Sequence, residues 1–309
     1  METKRILILC GGKFAFPSLQ TLGIEKFLCG IGIGKGEKGV LSILNQESEN
    51  SGLPFRSFPN AESLSGLRNW IEEIQPDYIF SISFPFLLSE DVLSYGKNKF
   101  INFHPGPLPE YRGPMPLFEV LRYQEKETAI SVHFMNEEFD EGAIILREKL
   151  SISQNETYGE LATKLSERTA MVALNMAHML QFASTIPCNE QDQSRARYFE
   201  KPEVSDTFIQ WNRMQADEII ALINACNPWN QGADTMLVGQ SVKLLAAKIS
   251  EERHSDQPGK ILHLTPTGAV AVSCIDEKVI HIQIVAGDFG ILTAEQFVKT
   301  KSISGYTFN

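Results

Sequence analysis

FINFHPGPLPEYRG, Phe100 to Gly113, is the stretch around which this 309-residue chain is organised. Ile101–His104 alternates apolar and polar residues, the period-two pattern of a strand with two different faces. Asn102 and His104 stand two apart, so their side chains leave the same face. Pro105, Gly106, Pro107 and Pro109 then exclude regular structure and force a stiff loop. A strand end that carries an amide and an imidazole into such a loop is how an α/β protein places chemistry at the carboxyl edge of its sheet. Downstream, FMNEEFDEGA (Phe134–Ala143) forms an acidic turn, in which Asp140 is the carboxylate expected to face the imidazole. Each element also has an ordinary reading. Asn-x-His makes structural hydrogen bonds in many strands, Asp and Gly favour turns for local reasons, and a Pro/Gly run can be a plain connection.

Working outward, RILILC (Arg5–Cys10) is an unbroken apolar strand of the kind buried on both faces of a parallel sheet. Phe16–Pro17–Ser18 opens a short helix, Leu28–Ile33 reads as a second strand, and Lys35–Gly39 is a polar loop before a helix over Val40–Ser51. Leu64, Leu67, Ile71 and Ile74 have amphipathic-helix spacing, and Tyr78–Phe84 is another strand. A helix over Leu117–Tyr123 comes after the central loop. Ala129–Met135 and Ala143–Leu150 pair as antiparallel strands with Asp140 at the hairpin tip, and His133 is read as a structural histidine. Thr157–Phe182 is one long helix. Alternating strands and helices predict an open, doubly wound, mostly parallel sheet over residues 1–183. No G-x-x-x-x-G-K-[ST] occurs, and the one G-x-G-x-x-G spacing, Gly34–Gly39, lies in the polar loop after the second strand and not in the first strand–helix turn, so neither a dinucleotide nor an ATP phosphate cradle is expected.

Residues 184–205 are polar and aperiodic and read as a linker, with Tyr198–Phe199 pinning it to a surface. Residues 206–309 carry one helix ending at Asn227–Pro228–Trp229, then short strands with Gly-containing turns, which predict a small β-barrel-like domain. The formal net charge of −10 argues against a large nucleic-acid-facing surface. Five scattered cysteines without CxxC spacing fit a reducing compartment, and no apolar run is long enough to span a membrane, so a cytoplasmic protein is expected. His104, His133 and Asp140 lack the spacing of a metal site, and no metal is expected. Oligomeric state is left open.

The central stretch resembles the site motif of the folate-dependent formyltransferases, which reads Asn-x-His, then a Leu-Pro-x-Tyr/Trp-Arg-Gly loop, then an Asp-x-Gly turn. Here these are Asn102 and His104, Leu108–Gly113, and Asp140–Gly142. The second half is similar to the carboxy-terminal domain of two-domain members in its Ile209–Gln210–Trp211, Asn227–Pro228–Trp229 and Pro258–Gly259. The resemblance implies formyl transfer from 10-formyltetrahydrofolate to a primary amine. In that reading Asn102, His104 and Asp140 are catalytic, with the folate held near Pro85, Phe86, Leu87, Leu88, Phe134, Met135, Asn136 and Phe139. Tyr111 and Arg112 are candidates for the acceptor, although a salt bridge that ties down the loop suits Arg112 equally well. Among acceptors, a small or carrier-linked amine is expected, a nucleotide-linked amino sugar first. tRNA is disfavoured because the chain from Asp206 carries eight Lys and Arg against eleven Asp and Glu. A methionyl-tRNA formyltransferase is the alternative; a 10-formyltetrahydrofolate hydrolase and a non-catalytic binding module are weaker ones.

Overall fold

The strand that carries Asn102 and His104 lies inside a seven-stranded sheet whose order explains where the chemistry sits. The computed structural model describes residues 3–36, 38–183, 185–301 and 305–309. Glu37 of the expected loop and Ser184 at the start of the expected linker lie outside the described residues. The chain forms two compact units. The first takes the chain through Pro116 together with Glu127–Ser151 and Ala162–Phe199; the second takes Leu117–Lys126, Ile152–Leu161 and Glu200–Asn309.

In the first unit, β1 (Ile6–Cys10), α1 (Phe16–Ile24), β2 (Leu28–Gly34), α2 (Lys38–Ser51) and β3 (Phe55–Phe58) precede α3 (Leu67–Ile74), β4 (Tyr78–Ile82), α4 (Glu90–Leu93) and β5 (Phe100–His104). After α5 (Pro116–Arg122) come β6 (Glu127–Phe134), β7 (Ile144–Ser151) and α6 (Tyr158–Phe182). The strand order is β3-β2-β1-β4-β5-β6-β7, parallel through β5 and antiparallel for β6 and β7. All five β1 residues are buried, as an apolar run between two layers of helices requires. On one face Leu7 and Leu9 pack with Trp70, Ile71 and Ile74 of α3, and this core extends to Phe84, Phe86 and Leu88. Ser89 caps α4 by accepting the Val92 N–H. The order reverses between β1 and β4, so the crevice beyond the carboxyl ends of the central strands is where a ligand is received. Short β3 is absent from the sequence reading. Phe55–Phe58 is four residues long and half polar, and it is a strand because β2 offers it an edge.

The second unit contains α7 (Ala216–Cys226), then β8 (Ala233–Leu237), β9 (Gln240–Arg253), β10 (Ile261–Leu264), β11 (Val270–Ser273), β12 (Lys278–Gly287), β13 (Gly290–Thr293) and α8 (Ala294–Lys301). The sheet runs β10-β11-β12-β9-β8 with β13 also on β12, and all of its pairings are antiparallel. Its two edges are joined by the chain's last residues. Asn309 exchanges backbone hydrogen bonds with Met236 of β8 (2.9 Å each), while Phe308 N–H donates to Gly259 at the entrance of β10 (2.8 Å). That closure gives the expected barrel-like character and leaves less open edge. Trp229 of the Asn-Pro-Trp stop packs edge-on against Phe118 (centroids 5.6 Å) and is tilted on Tyr158 (6.4 Å). This packing accounts for the inclusion of the 117–126 and 152–161 segments in this unit.

Candidate active site

Asn102 and His104 emerge from β5 toward β6, where they pair with His133 and Ser131 respectively. Ser131 is fully buried and anchors the loop after β5. Its hydroxyl donates to the Gly106 carbonyl (2.7 Å) and accepts the Leu108 N–H (3.1 Å). The loop therefore closes back over His104, whose Nε2 donates to the Tyr111 carbonyl (2.7 Å). On the other side of the ring, Nδ1 lies 3.3 Å from Asp140 Oδ1.

Asp140 is held at several points. Its Oδ2 accepts the Gly113 N–H (3.0 Å), and its Oδ1 receives the Asn102 amide at the long distance of 3.4 Å. His133 Nδ1 donates to the Phe134 carbonyl (2.8 Å), which leaves Nε2 to accept from Asn102 Nδ2 (3.0 Å). The histidine read as structural thus fixes the Asn102 amide and lines the cavity beside it. With acceptors on both ring nitrogens, His104 is set up as an imidazolium. Burial acts to lower its pKa, but the Asp140 charge and hydrogen bond and the Tyr111 carbonyl outweigh burial and hold it above the ordinary value. Burial likewise pushes the Asp140 carboxyl up, and the charge and hydrogen bond of His104 hold it far below the usual carboxylate range. The pair is a buried ion pair, with 4% and 10% of the two side chains exposed.

The Asp140 turn is shaped by backbone demands. Asp140 is left-handed (φ 59°), a conformation that costs a non-glycine residue about 1–2 kcal/mol. Gly142 has no room for a side chain, since a Cβ would stand 1.8 Å from the Phe134 carbonyl oxygen. Gly142→Ala is expected to cost about 3 kcal/mol or more in denaturant unfolding, because backbone must move to admit the methyl. An unchanged midpoint would show that the turn relaxes freely.

These groups border a cavity of about 390 Å³ at the carboxyl ends of β4 and β5. Pro85, Phe86, Leu87, Met135, Asn136 and Phe139 line it, together with Ser83, Phe84, Glu138 and Tyr198. Leu87 and Phe139 are exposed apolar groups at its edge. The volume and the apolar walls around a few polar groups suit a small organic ligand such as a pteridine.

Four residues expected here are elsewhere. Leu88 is buried in the core beside α3. Phe134 points into the sheet's other face, because strand alternation sends it opposite to His133. The Tyr111 ring stacks on Phe199 (5.5 Å), and its carbonyl reaches the site at His104. Arg112 is buried with its guanidinium occupied, donating to Glu141 (2.6 Å), Gln191 (2.8 and 3.1 Å) and Gln193 (3.0 Å). It ties the loop down instead of facing the cavity.

Residues 189–199 also build this unit, although they read as linker. Ile144 and Asn189 exchange backbone hydrogen bonds (2.8 and 2.9 Å), and Arg112 N–H donates to the Arg197 carbonyl (3.0 Å). The two aromatics in that stretch are its only sequence signal. Tyr198 reaches the cavity, whereas nothing in the polar run Gln191–Gln193 marks Gln191 as buried.

Residues 36–175 match the formyl transferase family, and residues 202–302 match the formyl transferase C-terminal domain. The methionyl-tRNA formyltransferase of Clostridium beijerinckii is 27% identical over 296 residues, covering 94% of each chain. In fold, the N-formyltransferase from Helicobacter canadensis, solved with folinic acid and dTDP-3-aminofucose, superposes with a TM-score of 0.69 at 18% identity. That match covers 91% of this chain and 99% of that one. HypX from Aquifex aeolicus, in complex with tetrahydrofolic acid, gives a TM-score of 0.65 at 18% identity over 96% of this chain and 47% of its own. The chain belongs to the formyl transferase family.

Proposed function

We propose that this enzyme moves the formyl group of 10-formyltetrahydrofolate to a primary amine, with His104, Asp140 and Asn102 as the catalytic groups. The observation that carries the reading is the buried His104–Asp140 ion pair beside Asn102 at the cavity. The amine nitrogen attacks the formyl carbon, a C–N bond forms, and negative charge collects on the formyl oxygen. Asn102 meets that charge by exchanging its weak 3.4 Å contact with Asp140 for the oxyanion. His104 gives a proton to the departing folate nitrogen as its bond to carbon breaks, and regains one from the former amine. Asp140 keeps the ring oriented and its charge balanced throughout, as carboxylates do in other triads.

For the acceptor, a nucleotide-linked amino sugar is favoured, and a carrier-bound amino acid comes second. β2 ends at Gly34 and α2 begins at Lys38, too short a connection for a basic tRNA-gripping loop. The acidic balance of the second unit has the wrong sign for phosphate contacts. The match over 94% of both chains to a methionyl-tRNA formyltransferase supports the alternative, in which the amine is that of charged methionyl-tRNA. The test offers both acceptor classes to purified protein with 10-formyltetrahydrofolate. We expect formylation of one or more amino sugars with weak salt dependence and little product from tRNA. Efficient tRNA formylation that falls steeply with salt would reverse the choice.

A further inference from the structure

We propose that Gln191 is a positioning residue for formyl transfer, setting the Asp140 carboxylate against His104 from outside the cavity. The inference rests on the catalytic reading of that pair. Gln191 is 6% exposed, and every hydrogen-bonding position of its side-chain amide is used. Its Nε2 donates to the carbonyls of Asp140 (2.7 Å) and Gly142 (2.8 Å), one on each side of the turn's middle residue. Its Oε1 accepts from Arg112 Nη2 (2.8 Å) and Nε (3.1 Å). The same guanidinium holds Glu141 by its side chain (2.6 Å). One amide therefore joins the loop after β5 to the turn after β6, the two pieces that supply the partners of His104.

The turn needs this support. Asp140 sits in a left-handed conformation, and such strain persists at a functional position only where the surroundings over-determine it. The segment bearing Gln191 is fixed at both ends, through Asn189 on β7 and through Arg197 and Phe199 on the loop. Phe199 N–H donates to the Arg112 carbonyl (3.0 Å), and Arg197 N–H to that of Pro109 (3.1 Å). A Cβ on Gly113 would stand 2.0 Å from the Phe199 carbonyl oxygen, so loop and segment are in close backbone contact. Gln191 thus acts from a rigid base. If its amide is lost, the Asp140 backbone gains freedom and the 3.3 Å pairing with His104 loosens. A misplacement of about 1 Å at a catalytic group can cost on the order of a hundredfold in rate.

Two variants separate positioning from simple stapling. Gln191→Met keeps the size and removes every hydrogen bond. Gln191→Glu keeps an acceptor for Arg112, and so the staple, but sets a carboxylate oxygen against the Asp140 and Gly142 carbonyls in place of the N–H donors. For both we expect kcat to fall by about ten- to a hundredfold per folded molecule, with the donor KM within about threefold of wild type. In Gln191→Met the imidazole titration of His104, followed by ¹H–¹⁵N NMR, should move to lower pH, because Asp140 is the group that raises it against burial; the charge added in Gln191→Glu acts the other way, so that variant is read by kcat. Asn102, His133 and the Tyr111 carbonyl, the other polar groups around the pair, are unchanged in these variants. A kcat within about twofold of wild type, or an unmoved His104 titration, would overturn the proposal. The titration needs no acceptor, so it tests Gln191 even if the wild-type protein formylates nothing offered to it, an outcome that would count against the proposed function instead.

Discussion

His104→Ala is expected to lower kcat for formyl transfer on the order of a thousandfold, the range over which a positioned acid–base group acts. The imidazole is the group in the cavity held as a proton donor, with its two N–H bonds fixed by Asp140 and the Tyr111 carbonyl. Its removal takes away both the proton for the leaving nitrogen and the positive charge next to the developing oxyanion. It also leaves Asp140 as a buried carboxylate with only the Gly113 and Asn102 N–H groups, so some stability is lost as well. For that reason the measurement is single-turnover chemistry on the folded fraction, with His104→Asn as a second variant that keeps a hydrogen-bond donor near Asp140 but no titrating group. If either variant retains a rate within about tenfold of wild type, the acid–base role belongs elsewhere.

Much of this site was legible because its parts are local in the chain. The Asn-x-His pair, the proline-rich loop and the Asp-x-Gly turn are short linear patterns, and each carries its own geometric consequence. A period of two puts Asn102 and His104 on one face, prolines stiffen the loop beyond them, and the hairpin between β6 and β7 brings Asp140 back to the same strand edge. Side-chain direction was the part the linear pattern left open. Resemblance located the backbone around Phe134 and Leu88 near the folate, yet neighbouring residues on a strand face opposite ways, and the cavity received His133 while the core received Phe134. For Arg112 the sequence offered both an anion contact and a salt bridge that ties down the loop; the three-dimensional arrangement shows the second, with the guanidinium spent on Glu141, Gln191 and Gln193. Gln191 itself was unreadable, because a buried glutamine in a polar stretch has no periodicity and its partners are about 50 and 79 residues away in sequence. β8 is hard to read for a similar reason: Ala233–Leu237 is short, and its identity as a strand depends on β9 and on residues near 308.

The ion pair can also be tested through its pH dependence, with Asp140→Asn as the variant. The substitution preserves shape but leaves the buried His104 without its counter-ion, and removal of one partner from a buried pair typically costs about 3–5 kcal/mol. His104 has a raised pKa, so its contribution to stability is fully present below the ordinary imidazole value and fades as pH rises through the raised one. Asp140 has a depressed pKa, so its contribution is fully present above the ordinary carboxylate range and fades as pH falls toward the depressed value. The two windows overlap between about pH 4 and 6.5, the unperturbed values of the two groups. The stability gap between wild type and Asp140→Asn should therefore be widest near pH 5–6 and narrow on both sides, since more acid protonates Asp140 and more alkali deprotonates His104. In the variant, burial acts on His104 without opposition from a neighbouring charge, so its titration should drop to lower pH. Turnover at neutral pH should fall by on the order of a hundredfold or more, because a neutral imidazole has no proton to give the leaving nitrogen. Chemical denaturation at several pH values gives the first quantity and initial rates give the second. A stability gap that stays constant across the pH range would mean that His104 and Asp140 are joined by an ordinary neutral hydrogen bond, and the proton-transfer scheme built on the imidazolium would fall with it.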